Sequence, residues 1–233
     1  MLIGEAALSV RHVDVWGRLL IQQMFRIGVD SVPIALFIAA FTGIVLSLQA
    51  SYTFTGAIPL YFVGVLVGKT MMLELGPVLT GLALSGRVGA NIAAELGTMR
   101  VTEQVDALET MAYPPVAYLV LPRVMAGIIM FPVVTTLAIG MGIAAGWVTS
   151  LQLLNMSTPQ FVNGLTLFFL PFDVTFATVK AVSFGFVVTS IGCYFGFNAR
   201  GGAEGVGRNT TRAVVVSSMV ILALDAFWAV VLL

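Results

Sequence analysis

Cysteine and histidine are almost absent: Cys193 and His12 are the only ones in 233 residues. One thiol makes no disulfide framework, and a zinc or iron site built from Cys and His is not expected. Charge is scarce as well. Only 9% of residues are Asp, Glu, Lys or Arg, against about 25% in an ordinary soluble domain. Eleven acidic residues balance eleven basic ones, so no basic face points to nucleic acid. The start, Met1-Leu-Ile-Gly-Glu5, lacks the basic stretch, apolar core and small-residue site of a cleavable signal peptide.

What fills the space is apolar. Hydrophobic residues make up 59% of the chain and mean hydropathy is +1.03. A fold this small has too little interior for so much apolar surface, so lipid must cover the remainder. The sequence therefore reads as an all-α integral membrane protein, a single domain over 1–233.

A spanning helix takes about 20 mostly apolar residues. Long, mostly apolar stretches predict spans at Val32–Tyr52, Leu60–Gly86, Val124–Ser150, Lys180–Asn198 and Ala213–Leu233. Phe161–Leu170, within an outer segment 151–178, is too short to cross alone and reads as interfacial or re-entrant. Arg11, Arg18, Arg26, Arg87, Arg100, Arg123, Arg200, Arg208 and Arg212 all fall on one side of this topology, and the loops 53–59 and 151–178 hold no Lys or Arg. That bias puts the N-terminus in the cytoplasm and the C-terminus outside. Ahead of the first span, within residues 1–30, Val13–Ile27 carries Trp16, Leu19, Leu20, Gln23, Met24 and Ile27 at helical spacing among arginines. It reads as an amphipathic helix in the cytoplasmic interface.

Three features carry function. The polar stretch Asn91–Met111 holds Glu95, Arg100, Glu103, Asp106 and Glu109 before Pro114-Pro115. It predicts a cytoplasmic helix longer than a mere connector needs, suited to contacting a soluble motor. The glycine-rich inner loop Arg200–Arg212 approaches a phosphate-cradling pattern. It has Arg208 and Asn209 where that pattern needs Lys and a hydroxyl, and it follows a membrane helix instead of a strand. No nucleotide site is expected in this chain, so an ATP-driven process needs a separate ATPase. Finally, Lys69, Glu74, Lys180 and Asp225 are ionisable groups inside spans, with Asp173 just before one. Such groups are costly in lipid and mark functional sites or interhelical pairs. Lys69 and Glu74 are five residues apart, a poor spacing for pairing within one helix, so a cavity or other helices should face them. Small-residue pairs at Gly64/Gly68, Gly81/Ser85, Gly142/Gly146 and Gly192/Gly196 mark close helix contacts, within one subunit or between two.

The run from Glu74 to Glu109, ELGPVLTGLALSGRVGANIAAELGTMRVTEQVDALE, closely resembles MlaE-type ABC transporter permeases. So do Tyr118-Leu-Val-Leu-Pro122-Arg123, and Lys180 with Phe184-Gly185, Gly192-Cys-Tyr and Gly201-Gly-Ala-Glu-Gly-Val-Gly207. Ala112-Tyr113-Pro114-Pro115 departs from the family, whose members usually have a glycine and an acidic residue before one proline. The resemblance implies a homodimer in a bacterial inner membrane, on two copies of an ABC ATPase that carries the ATP and magnesium. It also implies a periplasmic ring of MCE-domain proteins, often a STAS-domain partner, and phospholipid as cargo moved to maintain outer-membrane lipid asymmetry. Asn91–Met111 would be the coupling helix. Leu46, Leu48, Gln49, Phe54, Lys69, Glu74, Lys180 and Asp225 would line or support a lipid cavity. An ion-coupled secondary transporter would show inverted repeats, which are not evident, and a membrane scaffold would leave the buried charges without purpose.

Overall fold

A backbone surrounded by lipid must satisfy its own polar groups, which favours helices throughout. The computed structural model describes residues 13–53, 59–111, 113–154 and 156–232, and all regular structure among them is helical. Helix α1 is Val13–Ile27 and α2 is Val32–Thr53, joined by a tight turn at Val29–Ser31. Helix α3 runs Phe62–Val101, α4 Gln104–Thr110, α5 Val116–Leu153, and α6 Thr158–Leu167. Helix α7 is Pro171–Phe197 and α8 is Gly202–Leu232. Five helical stretches are long and apolar enough to cross a membrane: α2 with the end of α1, then α3, α5, α7 and α8. The chain is an all-α integral membrane protein. Phe54, Arg11 and His12 lie outside the described residues.

Helix α1 ends at Ile27 as expected from its amphipathic spacing, but four expected boundaries move. The second span does not stop at Gly86: α3 continues to Val101, because nothing from Ala90 to Val101 breaks a helix. The separate helix expected over Asn91–Met111 is therefore two pieces, the end of α3 and the short α4. Between them Glu103 takes a left-handed conformation, φ 61°, which a continuing right-handed helix cannot hold. The third span begins early, at Val116. The fourth begins at Pro171 instead of Lys180, since Pro in the first turn and the Asp173 carboxylate accepting from the Leu170 N–H (3.1 Å) form a helix start. The fifth begins at Gly202, so the glycine-rich stretch to Arg212 is three turns of helix, entered through Gly201 and Gly202 at φ 89° and 68°. The outer segment expected over 151–178 shrinks accordingly.

At 1.5 Å per residue, the 40-residue α3 is about 60 Å long, twice a bilayer's hydrocarbon core of about 30 Å. Its C-terminal half must project into water. That end meets the other arginine-bearing ends: Gly97 abuts Ala199 and Val206, and Glu95 reaches Arg26 and Arg123. The bundle thus has a basic end and an arginine-free end. Helix α6, roughly 15 Å long by the same rise, lies against the start of α3, where Gly64 meets the Phe161 carbonyl and Gly164 the Tyr61 carbonyl.

All four small-residue pairs pack inside this one chain. Gly64 and Gly68 receive α6, Gly81 meets Phe184, Gly142 and Gly146 receive α2, and Gly192 and Gly196 receive α3; Ser85 Oγ is 3.0 Å from Ser218 Oγ. Among the tightest seams is α2 on α5, where a side chain at Gly43 would strike the Gly142 carbonyl. Overpacking such a seam costs about 1–3 kcal/mol. Gly43→Ala should lower the unfolding temperature in detergent, whereas Gly86→Ala, with nothing within 4 Å, should leave it unchanged or raised.

Candidate functional site

Proline sets up the intramembrane site. Pro77 has no N–H, so the Leu73 carbonyl, four residues earlier on α3, loses its helical partner. The helix widens there into a π turn, Met71–Leu75, a feature frequent at functional sites. Lys180 of α7 fills the gap: its Nζ donates to the Leu73 carbonyl at 3.0 Å and to Glu74 Oε2 at 2.9 Å. Asp225 of α8 brings Oδ1 within 2.7 Å of the same ammonium, an ionic contact without hydrogen-bond alignment. The ammonium also sits 4.5 Å from the centre of the Phe176 ring, a cation–π position. Lys180 is fully buried. One cation thus ties three spans together and holds two carboxylates.

One turn away, Ser183 donates to the Lys180 carbonyl (2.7 Å) and accepts from Trp228 Nε1 (3.0 Å), fastening α8 to α7 beside the cluster. Nearer the arginine-free end, Lys69 of α3 pairs with Asp173 of α7 at 2.6 Å. Asp173 is buried, while Lys69 and Glu74 keep 27% and 38% of their side chains exposed. They are the open edge of an otherwise sealed network. An apolar cleft of about 260 Å³ is lined by Met72, Ile139, Ile143, Val174 and Ala177 among others, Met72 on α3 and Val174 on α7 being sequence neighbours of the paired residues. A second cleft of about 380 Å³, reaching Phe186 and Trp228, shares Thr178 with it.

Interhelical pairing therefore accounts for Lys69, Glu74, Lys180 and Asp225. Lys180 is not at the outer end of its span, as expected, but nine residues inside α7. Leu46 is buried in the core, and Leu48 is exposed, as is Gln49. None of the three joins the ion-pair network. Asp173 and Pro77 matter more than their sequence positions suggested. The usable signals were a proline four residues after Leu73 and a Pro-x-Asp helix start.

At the basic end Glu95 bridges Arg26 (3.3 Å) and Arg123 (3.1 Å). Arg123 is buried and donates to the Leu119 carbonyl at 2.5 Å. Glu95, expected on the motor-facing surface, instead locks α1, α3 and α5 together. Arg100 pairs with Asp106 across the α3–α4 corner. Val105 anchors α4 in the core, leaving Glu103 and Glu109 exposed.

The family model described as Permease MlaE matches residues 20–231. The chain belongs to the MlaE permease family. It is 42% identical over 217 residues to a probable ABC transporter permease protein of Rickettsia prowazekii, covering 93% of this chain and 84% of that one. It is 36% identical over 211 residues to the intermembrane phospholipid transport system permease protein MlaE of Haemophilus influenzae, covering 89% and 80%. It is also 32% identical over 225 residues to the chloroplast protein TRIGALACTOSYLDIACYLGLYCEROL 1 of Arabidopsis thaliana, covering 97% of this chain and 64% of that one. As a member of this family of ABC-type permeases the chain is a multi-pass transport subunit, and membership implies an ATPase partner. The matched region takes in the whole ion-pair cluster and the α3–α4 corner of this MlaE permease.

Proposed function

We propose that this permease moves glycerophospholipid, driven by a cytoplasmic ABC ATPase seated at the α3–α4 corner. The observation that carries the reading is an apolar cleft lined by Met72 of α3 and Val174 of α7, on the same two helices whose partly exposed Lys69 and buried Asp173 form an ion pair. A phospholipid needs that combination of an apolar wall for its tails and polar groups for its headgroup. Lys69, a point charge on a flexible stem, suits the phosphate. Lys180, sealed between two carboxylates, supports the site without touching cargo. Leu48 and Gln49 belong to the outer wall in this reading, and Leu46 supports it from within. The relative named for intermembrane phospholipid transport supports the same cargo.

The arginine-bearing end faces the cytoplasm by the positive-inside rule, which puts the C-terminus in the periplasm of a bacterial inner membrane. Two copies of the permease form the transport unit, α8 being the least buried of the five spans and so the one with most surface to share. Two ATPases bind below, joined in the family's arrangement by a STAS-domain subunit. Above lies a ring of MCE-domain proteins, through which lipid exchange maintains outer-membrane asymmetry.

Native mass spectrometry of the gently purified complex tests the assembly and its cargo together. The expected species is a permease dimer with two ATPase copies and bound phospholipid. A lipid-free monomer lacking ATPase would favour a secondary transporter or scaffold instead. Lys69→Gln should reduce the bound lipid roughly tenfold or more, the loss of one charge-assisted hydrogen bond. The change also takes the cation from the buried Asp173, so the double variant Lys69→Gln, Asp173→Asn, which leaves no unpaired charge, should lose lipid equally while the fold stands.

A further inference from the structure

A second polar cavity lies at the basic end, far from the ion-pair cluster. It occupies about 250 Å³ between α1 and α3, with Gln23, Arg26, Arg87, Asn91 and Glu95 as its polar lining over a floor of Ile27 and Val88. Arg87 sits on a π turn, Ser85–Gly89, where α3 carries one residue more than an α-helical turn holds. From there it reaches across to α1, donating to Ser31 Oγ and to the Arg26 carbonyl at 3.4 Å. Its nearest carboxylate, Asp30, stands off at 4.0 Å.

The local charges do not cancel. Two guanidinium groups, Arg26 and Arg87, line the cavity with one carboxylate, Glu95, which leaves one positive charge over. Glu95 is already shared between Arg26 and Arg123. A single negative charge with several acceptor oxygens would complete the set, which describes a phosphodiester. Arg guanidinium is the side chain best suited to such an oxygen cluster, and the Gln23 and Asn91 amides add neutral donors. The setting favours lipid as its source. Ile21 and Phe25 of α1, beside the cavity in sequence, are 71% and 57% exposed, an apolar outward face on a helix next to a membrane span.

We propose that this cavity binds the phosphodiester of a phospholipid from the leaflet on which α1 lies, as a site separate from the transport path. The bound headgroup bridges Arg26 and Arg87 and so pins α1 to α3. Substituting Arg26 would also free Glu95, so the informative changes are Asn91→Asp and Gln23→Glu, which place a carboxylate in the cavity and break no ion pair.

The test is photolabelling of the full-length chain in maltoside micelles, using phosphatidylglycerol with a diazirine near the glycerol end of one acyl chain, followed by peptide mapping. Label is expected on residues 19–31 and 84–95. It should fall roughly tenfold or more in each variant, as loss of a charge-assisted bond and gain of a repulsion dictate, while label near Lys69 is unchanged. Excess lysophosphatidylglycerol should displace it, and inorganic phosphate or glycerol phosphate should not. Absence of label from these peptides, or label in both variants equal to that of the wild type, would overturn the site. Displacement by inorganic phosphate as effective as by the lysolipid would overturn the lipid assignment and make it a site for free phosphate.

Discussion

A Lys180→Met chain is expected to lose about 3–5 kcal/mol of stability, the usual consequence of removing one partner from a buried ion pair. The loss has three sources in this bundle. Glu74 and Asp225 would face each other with no cation between them. The Leu73 carbonyl, already without a helical partner because of Pro77, would be left bare at membrane depth, where water cannot replace the bond. The aromatic face of Phe176 would lose its cation. Thermal unfolding in detergent, followed through a fluorescent fusion, reads the effect directly. The triple variant Lys180→Met, Glu74→Gln, Asp225→Asn should recover most of it, because a neutral polar set of similar shape leaves no uncompensated charge. A single variant as stable as the wild type would show that the ammonium is not what holds α3, α7 and α8 together.

The second large effect is expected at the corner between α3 and α4. Glu103→Pro should abolish co-purification of the ATPase, because proline fixes φ near −65° and the corner requires φ 61°. Glu103→Gly should preserve it, since glycine adopts positive φ freely and relieves about 1–2 kcal/mol of backbone strain. The pair separates shape from charge. If Glu103→Gly also releases the ATPase, the exposed carboxylate and not the bend makes the contact. If Glu103→Pro retains it, the corner has no part in coupling. Charge reversal at Asp106 is a poor probe of coupling, because its partner Arg100 closes the same corner.

Helix type and the number of spans were legible because lipid exposure imposes long uncharged runs. The end of helix α1 at Ile27 was legible from its spacing. Span ends were not, and the failures share a cause. Counting apolar residues stops at a charge, yet Asp173 and Lys180 are neutralised by Lys69 and Glu74, about a hundred positions earlier in the chain, and by Asp225 on the following helix. Their partners are tertiary information. Lys180 therefore looked like a span end when it is a span interior. Glu95 looked like part of a water-exposed helix when two arginines from other helices claim it. The glycine stretch 201–207 looked like a loop because glycine is a poor helix former in isolation. Packing of Gly205 and Val206 against neighbouring backbone and side chains overrides that preference.

Pro77 also constrains how this protein is made. Helix α3 enters the membrane carrying a carboxylate and a carbonyl that α3 itself cannot satisfy. The ammonium that completes both lies 106 residues further along the chain. At a ribosomal rate of about 5–20 residues per second, that interval lasts roughly 5–20 s. Throughout it, the nascent hairpin of α2 and α3 must be sheltered by water, by the insertion machinery or by a membrane chaperone. The stretch between α3 and α7 is thus a timed gap in biogenesis, and a ribosome stalled within it would leave an incomplete bundle open to membrane proteases.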